Sequence, residues 1–235
     1  MIPSVLRRFS MMAALWAASI VPADAGDNPV VLELFTSQGC SSCPPADKLL
    51  HQLADRDDVI ALALHVDYWD YIGWKDEFAN PAHSDRQRVY ASVAGRRTIY
   101  TPQIIVNGTT SIVGARAMEL SDAIQAHKAQ PAKVSVDISR DGGSVNISAS
   151  NTGGAGAMVV HVLQYQPKRD AKITRGENAG RHLVYSNVVQ GWQVLGQWSG
   201  QEPLATKATV DAEWPVVVLL QEAPQGPILA AARVR

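Results

Sequence analysis

A pair of cysteines two residues apart, set between an apolar run and a helical pattern, constrains this chain more than any other feature. Val30-Val31-Leu32-Glu33-Leu34-Phe35 reads as a buried strand. Pro44 to Leu53 reads as a helix, with Leu49, Leu50 and Leu53 at helical spacing and its prolines in the tolerated first turn. Cys40 and Cys43, the only cysteines in the chain, fall at the junction. Three roles fit such a pair: a cycling redox couple, two metal ligands, or a structural staple.

The junction favours the first role on mechanical grounds. The first turn of a helix offers unpaired backbone N–H groups and a partial positive charge. A thiolate placed there is stabilised, so its pKa falls and it can attack a disulfide. A second thiol two residues on can release the mixed disulfide. The spacing predicts Cys40 as the exposed attacker and Cys43, one turn inside, as the buried resolver. Pro44 and Pro45 stiffen the turn, and Gly39 relieves crowding before it. Ser41 and Ser42 bring hydroxyls but no positive charge, which predicts a less extreme oxidant than a pair enclosing a histidine. A staple closing so short a loop would constrain the unfolded chain little.

The N-terminus bears on how long a disulfide persists. Arg7 and Arg8, an apolar run from Met11 to Val21, and Ala23-Asp24-Ala25 read as a signal peptide over residues 1–25, with Gly26 the first mature residue. The apolar run is about half of the ~20 residues a bilayer-spanning helix needs. No later segment is long and apolar enough to span, so no membrane span is expected in the mature chain. Outside the cytoplasm a thiol pair can remain oxidised. The chain's formal net charge is −1, and residues 1–25 hold two arginines and one aspartate, so their removal leaves −2. A near-neutral chain without a basic run gives nucleic acid no footprint. Asn107-Gly-Thr and Asn146-Ile-Ser match the glycosylation sequon.

The 235-residue chain changes character near Pro131. Before it, Val59 to Val66 reads as a second buried strand and Asp67 to Asn80 as an aromatic, acidic loop. Pro81 to Val93 reads as a polar helix. Gln103 to Val106 reads as a strand turned by Asn107-Gly108 into another near Ser111 to Val113, and Ala117 to Lys128 as a closing helix. Beyond it, Lys133–Ile138, Val145–Ala149, Met158–Tyr165, His182–Val188, Ala205–Val210 and Val216–Gln221 read as strands. The first half predicts a sheet with helices packed on it, the second an antiparallel β-sandwich-like module.

"ELFTSQGCSSC" resembles the strand-to-Cys-x-x-Cys segment of the thioredoxin superfamily and is closest in spacing to glutaredoxins. "TPQIIVNG", Thr101 to Gly108, resembles that superfamily's cis-proline loop and following strand. The longer pattern, through "HVDYWDYIGWKDEFANP", "RQRVYA", "YTPQIIVNG" and "RGENAGRHLVYSNVV", is similar to the secreted thioredoxin-like proteins of domain of unknown function family 1223. The resemblance implies an α/β fold with a thioredoxin-like, glutaredoxin-type domain over residues 26–130, carrying an insertion at 67–95. A β-rich C-terminal module over 131–235 follows. It implies a cis Thr101–Pro102 bond, with Thr101 facing the substrate beside the disulfide. The Trp-Cys-Gly-Pro-Cys core of ordinary thioredoxin is absent and the Asp67–Asn80 insertion is extra, so thioredoxin's substrate habits do not carry over.

Other residues supply candidates around this pair. Glu33, on the first strand, is a candidate proton relay for Cys43, or else an ion-pair partner. Asp67, Trp69 and Trp74 are candidates for the wall of a substrate groove at the carboxyl ends of the strands, or for a packed cover over the sheet. His65 could join both thiolates as a Cys₂His copper or zinc set, although a lone histidine ending an apolar strand is usually just packed. Arg96-Arg97 read as a solvated loop or an anion contact. Arg175, Glu177, Asn178, Arg181 and His182 read as a tight turn or a contact to the first half. Trp192, Trp198 and Trp214 read as packing. Glu33 stands where a peroxiredoxin would carry proline, which argues against a peroxidase. No phosphate-loop, dinucleotide or Ser-His-Asp pattern appears.

The sequence thus predicts an exported thiol–disulfide oxidoreductase with no cofactor beyond the Cys40–Cys43 disulfide. It would act on protein or small-molecule disulfides and exchange electrons with another exported redox protein. The competing expectations are a binding module with a permanent disulfide, and a copper or zinc carrier.

Overall fold

The computed structural model describes residues 28–235; the expected signal peptide lies outside the described residues. Eleven strands and three α-helices follow in order among the described residues. The first part comprises β1 (Val30–Thr36), α1 (Pro44–Leu53), β2 (Val59–His65), α2 (Pro81–Val93), β3 (Gln103–Val106), β4 (Thr110–Val113) and α3 (Ala117–Lys128). The second comprises β5 (Val134–Asp141), β6 (Ser144–Asn151), β7 (Met158–Lys172), β8 (His182–Trp198), β9 (Leu204–Thr209), β10 (Val216–Glu222) and β11 (Ile228–Val234). A 3₁₀ turn at Asp70–Ile72 interrupts the loop after β2. No helix among the described residues is long and apolar enough to cross a membrane.

Every residue of β1 and β2 is buried, as their near-continuous apolar sequence requires of strands covered on both faces. The two pair in parallel, Val30 opposite Val59 through Thr36 opposite His65. On the other side of β1, β3 runs antiparallel with Phe35 opposite Gln103, and β4 returns along β3. Asn107-Gly108 makes the hairpin turn with φ of 44° and 74°. Gly108 is required there twice over, by its positive φ and because a Cβ would sit 2.5 Å from the Gly226 carbonyl oxygen. Asn107, in the sequon, accepts a hydrogen bond from Val31 N at 2.7 Å.

The second half does not stand apart as a sandwich. One mixed sheet of eight strands runs β11-β10-β7-β8-β2-β1-β3-β4, so four strands beyond Pro131 extend the sheet begun by β1 to β4. The join is a parallel contact of β8 with β2, Ala63 opposite Val188, helped by Asn187 Nδ2 donating to Ala61 O at 2.8 Å. A three-stranded sheet, β5-β6-β9, is the separate layer. Its inward residues, Val134, Val136, Val145 and Ile147 among them, pack on Val160, Val162, Val216 and Val218 of the large sheet. The expected sandwich is therefore local to one end of a continuous sheet.

Alternation along the central strands creates two cores. Leu32 and Leu34 of β1 join Ala61 and Ala63 beneath α1 and α3, where Ala46, Leu50, Leu120 and Ile124 seal the layer. Val31 and Phe35 point the other way, to Tyr90 of α2 and to Leu163, Tyr165 and Val189 of the β7–β8 hairpin. A fully buried Leu, Ile or Val contributes roughly 1.5–3 kcal/mol, and both cores meet on β1 and β2, which makes these strands the rigid base of the disulfide turn.

Candidate functional site

Cys40 and Cys43 form a disulfide at the carboxyl end of β1. Cys43 is the N-cap residue of α1, and its carbonyl accepts from Ala46 N at 2.8 Å and Asp47 N at 3.1 Å. Pro44 and Pro45 start the helix without N–H groups, so two of the donors a helix N-terminus normally offers are missing. Ser42 Oγ lies 3.4 Å from Cys40 Sγ. The β1–β3 register sets Thr101-Pro102, just before β3, across from the end of β1, beside the disulfide turn; the Thr101–Pro102 bond is cis.

Cys40 is not the exposed group that the spacing predicts. It is 1% exposed and Cys43 0%, while Ser41 and Ser42 between them face solvent. Two loops close over the turn. In the first, Trp69 packs with Ile72 against Gly39, and its Nε1 donates to Thr101 Oγ1 at 2.7 Å. Trp74 Nε1 donates to Gln38 Oε1 at 2.7 Å, and Asp76 Oδ2 accepts from Gln38 N at 2.8 Å. In the second, buried Asn178 Nδ2 donates to the carbonyls of both Gln38 and Cys40 at 2.9 Å. Gly176 fits against Trp74. Trp69 and Trp74 are thus packed and hydrogen-bonded against Gln38, Gly39 and Thr101, beside the residues that lead into the disulfide. Asp67 turns away, accepting from Ser84 Oγ of α2 at 2.5 Å.

Glu33, a candidate relay for Cys43 or else an ion-pair partner, lies on the other side of the sheet. It shares parity with Val31 and Phe35, so it faces α2 and not α1. There Arg86 Nε and Nη2 donate to its two oxygens at 2.6 and 3.2 Å, and Tyr90 OH donates at 2.5 Å. Arg86 also donates to Gln221 Oε1 at 2.9 Å and stacks 4.4 Å from the Trp192 ring. This is ion pairing inside a saturated network.

The acid on the disulfide's side is Asp47, in the first turn of α1 and four residues after Cys43. Thr36 Oγ1 donates to its Oδ1 at 2.8 Å. Burial pushes the Asp47 carboxyl up to about 7, against the opposing pull of nearby His65 and the Thr36 hydrogen bond, and nearby Asp76 adds to the rise. His65 ends β2 beside Thr36, and its Nδ1 lies 2.7 Å from Asp76 Oδ2. Burial works to raise Asp76 too. The adjacent His65 ring and hydrogen bonds from His65, Gln38 N and Phe78 N outweigh it and hold Asp76 below the usual carboxylate range. Tyr185 of β8 meets the His65 ring edge-on at 4.7 Å between centroids. His65 Nδ1 is paired with Asp76 and the cysteines with each other; among the described residues no three His, Cys, Asp or Glu side chains gather as a metal set.

The remaining candidates stand elsewhere. Arg96 and Arg97 are exposed, with Arg96 on Ser111 Oγ at 3.1 Å. The 175–182 run does contact the first half, through Asn178, and its inner bond is Arg181 Nη1 to Asn178 Oδ1 at 3.0 Å. Trp192 and Trp198 serve packing, with their N–H groups on His161 Nδ1 and the Glu202 carbonyl. Sequence reasoning missed Asp47, Asp76 and Tyr185, and named Asn178 only within a run that reads as a tight turn or a contact to the first half. Only Asp47 carried a signal, its spacing of four from Cys43.

Residues 31–221 match the family described as "Protein of unknown function (DUF1223)". The chain belongs to the DUF1223 family. The match spans the disulfide turn, both covering loops and β7 to most of β10, so the whole assembly around the site belongs to the family's common extent. Among solved structures, protein AGR_C_4864 from Agrobacterium tumefaciens is 33% identical, with a TM-score of 0.76, covering 87% of this chain and 93% of that one. HBP35 of Porphyromonas gingivalis is similar in fold alone, with 15% identity and a TM-score of 0.59 over 88% of this chain and 75% of that one. No curated protein sequence matches the chain.

Proposed function

We propose that this DUF1223 protein is an exported thiol–disulfide oxidoreductase working through Cys40 and Cys43 on a thioredoxin-like core. The observation that carries the reading is the disulfide's position: at the head of α1 and the carboxyl end of β1, with Thr101-Pro102 just before the neighbouring strand β3, across from the end of β1. The order β2-β1-β3-β4, with β2 parallel and β3 antiparallel to β1, supports the thioredoxin-like core. In the reductive direction an incoming thiolate attacks Cys40 Sγ, Cys43 leaves, and Thr101 and Pro102 position the substrate. The two prolines at the head of α1 and the neutral Ser41 and Ser42 leave the thiolate modestly stabilised, which suits a moderate rather than an extreme oxidant. Export rests on the Arg7-Arg8, apolar-run and Ala-x-Ala pattern of residues 1–25.

The buried sulfurs favour one other reading, a binding module in which the disulfide is permanent and stiffens the turn. The two part company in a single assay. Insulin reduction and refolding of a scrambled disulfide protein are followed across redox buffers for wild type and Cys40→Ser. Activity that disappears in Cys40→Ser supports the oxidoreductase; identical curves for the two proteins overturn it.

A further inference from the structure

The buried side-chain atoms without a hydrogen-bond partner among the described residues are Gln38 Nε2, Asp47 Oδ2, His65 Nε2 and Tyr185 Oη. Two of them belong to residues that line one pocket, a cavity of about 410 Å³ between α1 and β8. Asp47 stands on the α1 wall and Tyr185 on the β8 wall, and they are only 6% and 1% exposed. The Tyr185 hydroxyl is a donor and the ionised Asp47 carboxyl an acceptor, close enough for the Asp47 charge to act on the hydroxyl. Even so, they do not hydrogen-bond to each other. Native folds leave few buried polar groups unsatisfied, so a pair left open across a cavity points to a third group that joins them.

The rest of the lining indicates what carries that group. Pro44, Leu183 and Val184 supply apolar walls, with Val184 exposed. The mouth is basic. Lys48 comes from α1 and Lys168 from β7, and both are exposed. The lysines in ion pairs among the described residues are Lys128 and Lys207, so neither lysine at the mouth is neutralised there. The two histidines of the lining already have partners: His51 Nδ1 lies 2.7 Å from Ser186 Oγ, and His182 Nε2 lies 2.7 Å from Asp170 Oδ2. Small-molecule sites of roughly 300–1,000 Å³ are built in this way, from apolar walls and a few convergent polar groups.

We propose that the α1–β8 pocket binds a small, mostly apolar acid that carries a hydroxyl group, of the hydroxyaryl carboxylate class. The ligand hydroxyl bridges Tyr185 and Asp47, the apolar body lies on Pro44, Leu183 and Val184, and the anionic group reaches Lys48 and Lys168. This site is independent of the redox reading of Cys40 and Cys43, and binding is expected whether or not that pair cycles.

A hydroxyl suits this pair better than other small polar groups. Burial raises the Tyr185 hydroxyl, so it stays a donor at neutral pH and needs an acceptor. Burial pushes the Asp47 carboxyl up to about 7, so its acid and carboxylate forms are both populated there. A hydroxyl donates to the carboxylate, accepts from the acid, and keeps a lone pair for Tyr185 in either case. An ammonium cannot accept from Tyr185, and a ligand carboxylate at this point would meet the ionised Asp47 with like charge. A ligand that lacks the hydroxyl leaves both buried groups unpaired, the condition under which protein sites discriminate most sharply.

The test is calorimetric titration of the protein with para-hydroxyphenylacetate, with phenylacetate, which lacks the hydroxyl, and with tyramine, which keeps the hydroxyl but carries an ammonium in place of the carboxylate. The expected result is one saturable site for para-hydroxyphenylacetate below about 10 mM, with phenylacetate and tyramine each roughly tenfold or more weaker. Tyr185→Phe reduces the preference for the hydroxyl. Lys48→Gln combined with Lys168→Gln, both at exposed positions, removes the preference for the acid over the amine and keeps the site testable should Tyr185→Phe fold poorly. No saturation by about 10 mM, equal affinities for the three probes, or a preference unchanged in either variant overturns the assignment. A Cys40→Ser protein that matches wild type in the disulfide assays removes the redox reading and leaves these binding results as expected.

Discussion

Two carboxylates lie buried on opposite sides of the same sheet, and their surroundings differ in kind. Glu33 accepts from Arg86 at both oxygens and from Tyr90, and Arg86 is further fixed by Gln221 and by the Trp192 ring. Asp47 accepts from Thr36 alone, leaves Oδ2 unpartnered, and sits near His65 and Tyr185 atoms that are unpartnered too. A saturated buried network has little freedom to change its protonation and mainly specifies structure. An unsaturated one retains an acid that can exchange a proton. On this sheet the saturated network lies on the α2 side and the unsaturated one on the α1 side, with the disulfide.

Substitutions on each side sharpen or break that contrast. The largest effect belongs to Glu33→Ala, which strands the Arg86 charge in the core. It costs about 3–5 kcal/mol of unfolding free energy in chemical denaturation, while the surviving folded protein keeps the wild-type pH profile of disulfide reduction. A small cost would remove the structural half of the comparison.

Asp47→Asn acts in the opposite direction. The folded carboxyl titrates near 7, above its ordinary 3.8, so the unfolded chain releases this proton first as pH rises. Wild-type stability is therefore lost between about pH 4 and 7, and the deficit is complete above 7. Relative to wild type, Asp47→Asn gains roughly 2–4 kcal/mol at pH 8 and little at pH 3. The comparison must be made as a difference from wild type. Buried His83 and His161, held neutral with pKa values pushed down to about 4 and about 3 by burial, make both proteins more stable as pH rises toward 6.5. Equal differences at pH 3 and 8 would mean that Asp47 is not the perturbed group.

The cover gives smaller effects. Asn178→Ala leaves the Gln38 carbonyl without a donor, takes one of two donors from the Cys40 carbonyl, and costs about 1–3 kcal/mol. It also speeds reduction of the disulfide, because the Cys40 turn is released. Trp69→Phe removes the hydrogen bond to Thr101, costs roughly 0.5–1.5 kcal/mol, and raises the reduction rate less than Asn178→Ala does. Covering loops that matter only for packing would lower stability without changing either rate.

Much of the frame could be read from local patterns. β1 and β2 are unbroken apolar runs, α1 opens on two prolines, and Asn107-Gly108 is a hairpin turn by its chemistry. What escaped the reading depended on distant partners. α2 buries His83, Ser84, Arg86 and Gln87, so its inward face is polar and hides the helical periodicity that a core face usually displays. β11 is alanine-rich, with little β-branched signal, and is held by pairing with β10. The continuity of the sheet past Pro131 rests on one parallel contact between β2 and β8, which no local pattern announces. Glu33 shares β1 with the approach to the disulfide, yet strand alternation turns it to the α2 side, where Arg86 pairs with it. Cys40 looked exposed because its covers, Trp69 and Asn178, lie in loops whose paths only the fold determines.

A working oxidoreductase requires Cys40 and Cys43 to cycle between disulfide and dithiol in this buried turn. Equilibrating the purified protein with graded glutathione or dithiothreitol buffers at pH 7, and quantifying the free Cys40 and Cys43 thiols, tests it most directly. A cycling pair is reduced reversibly at a potential above about −300 mV, within reach of a thiol partner. A pair that stays oxidised to below about −300 mV, or that reduces only as the protein unfolds, would contradict it.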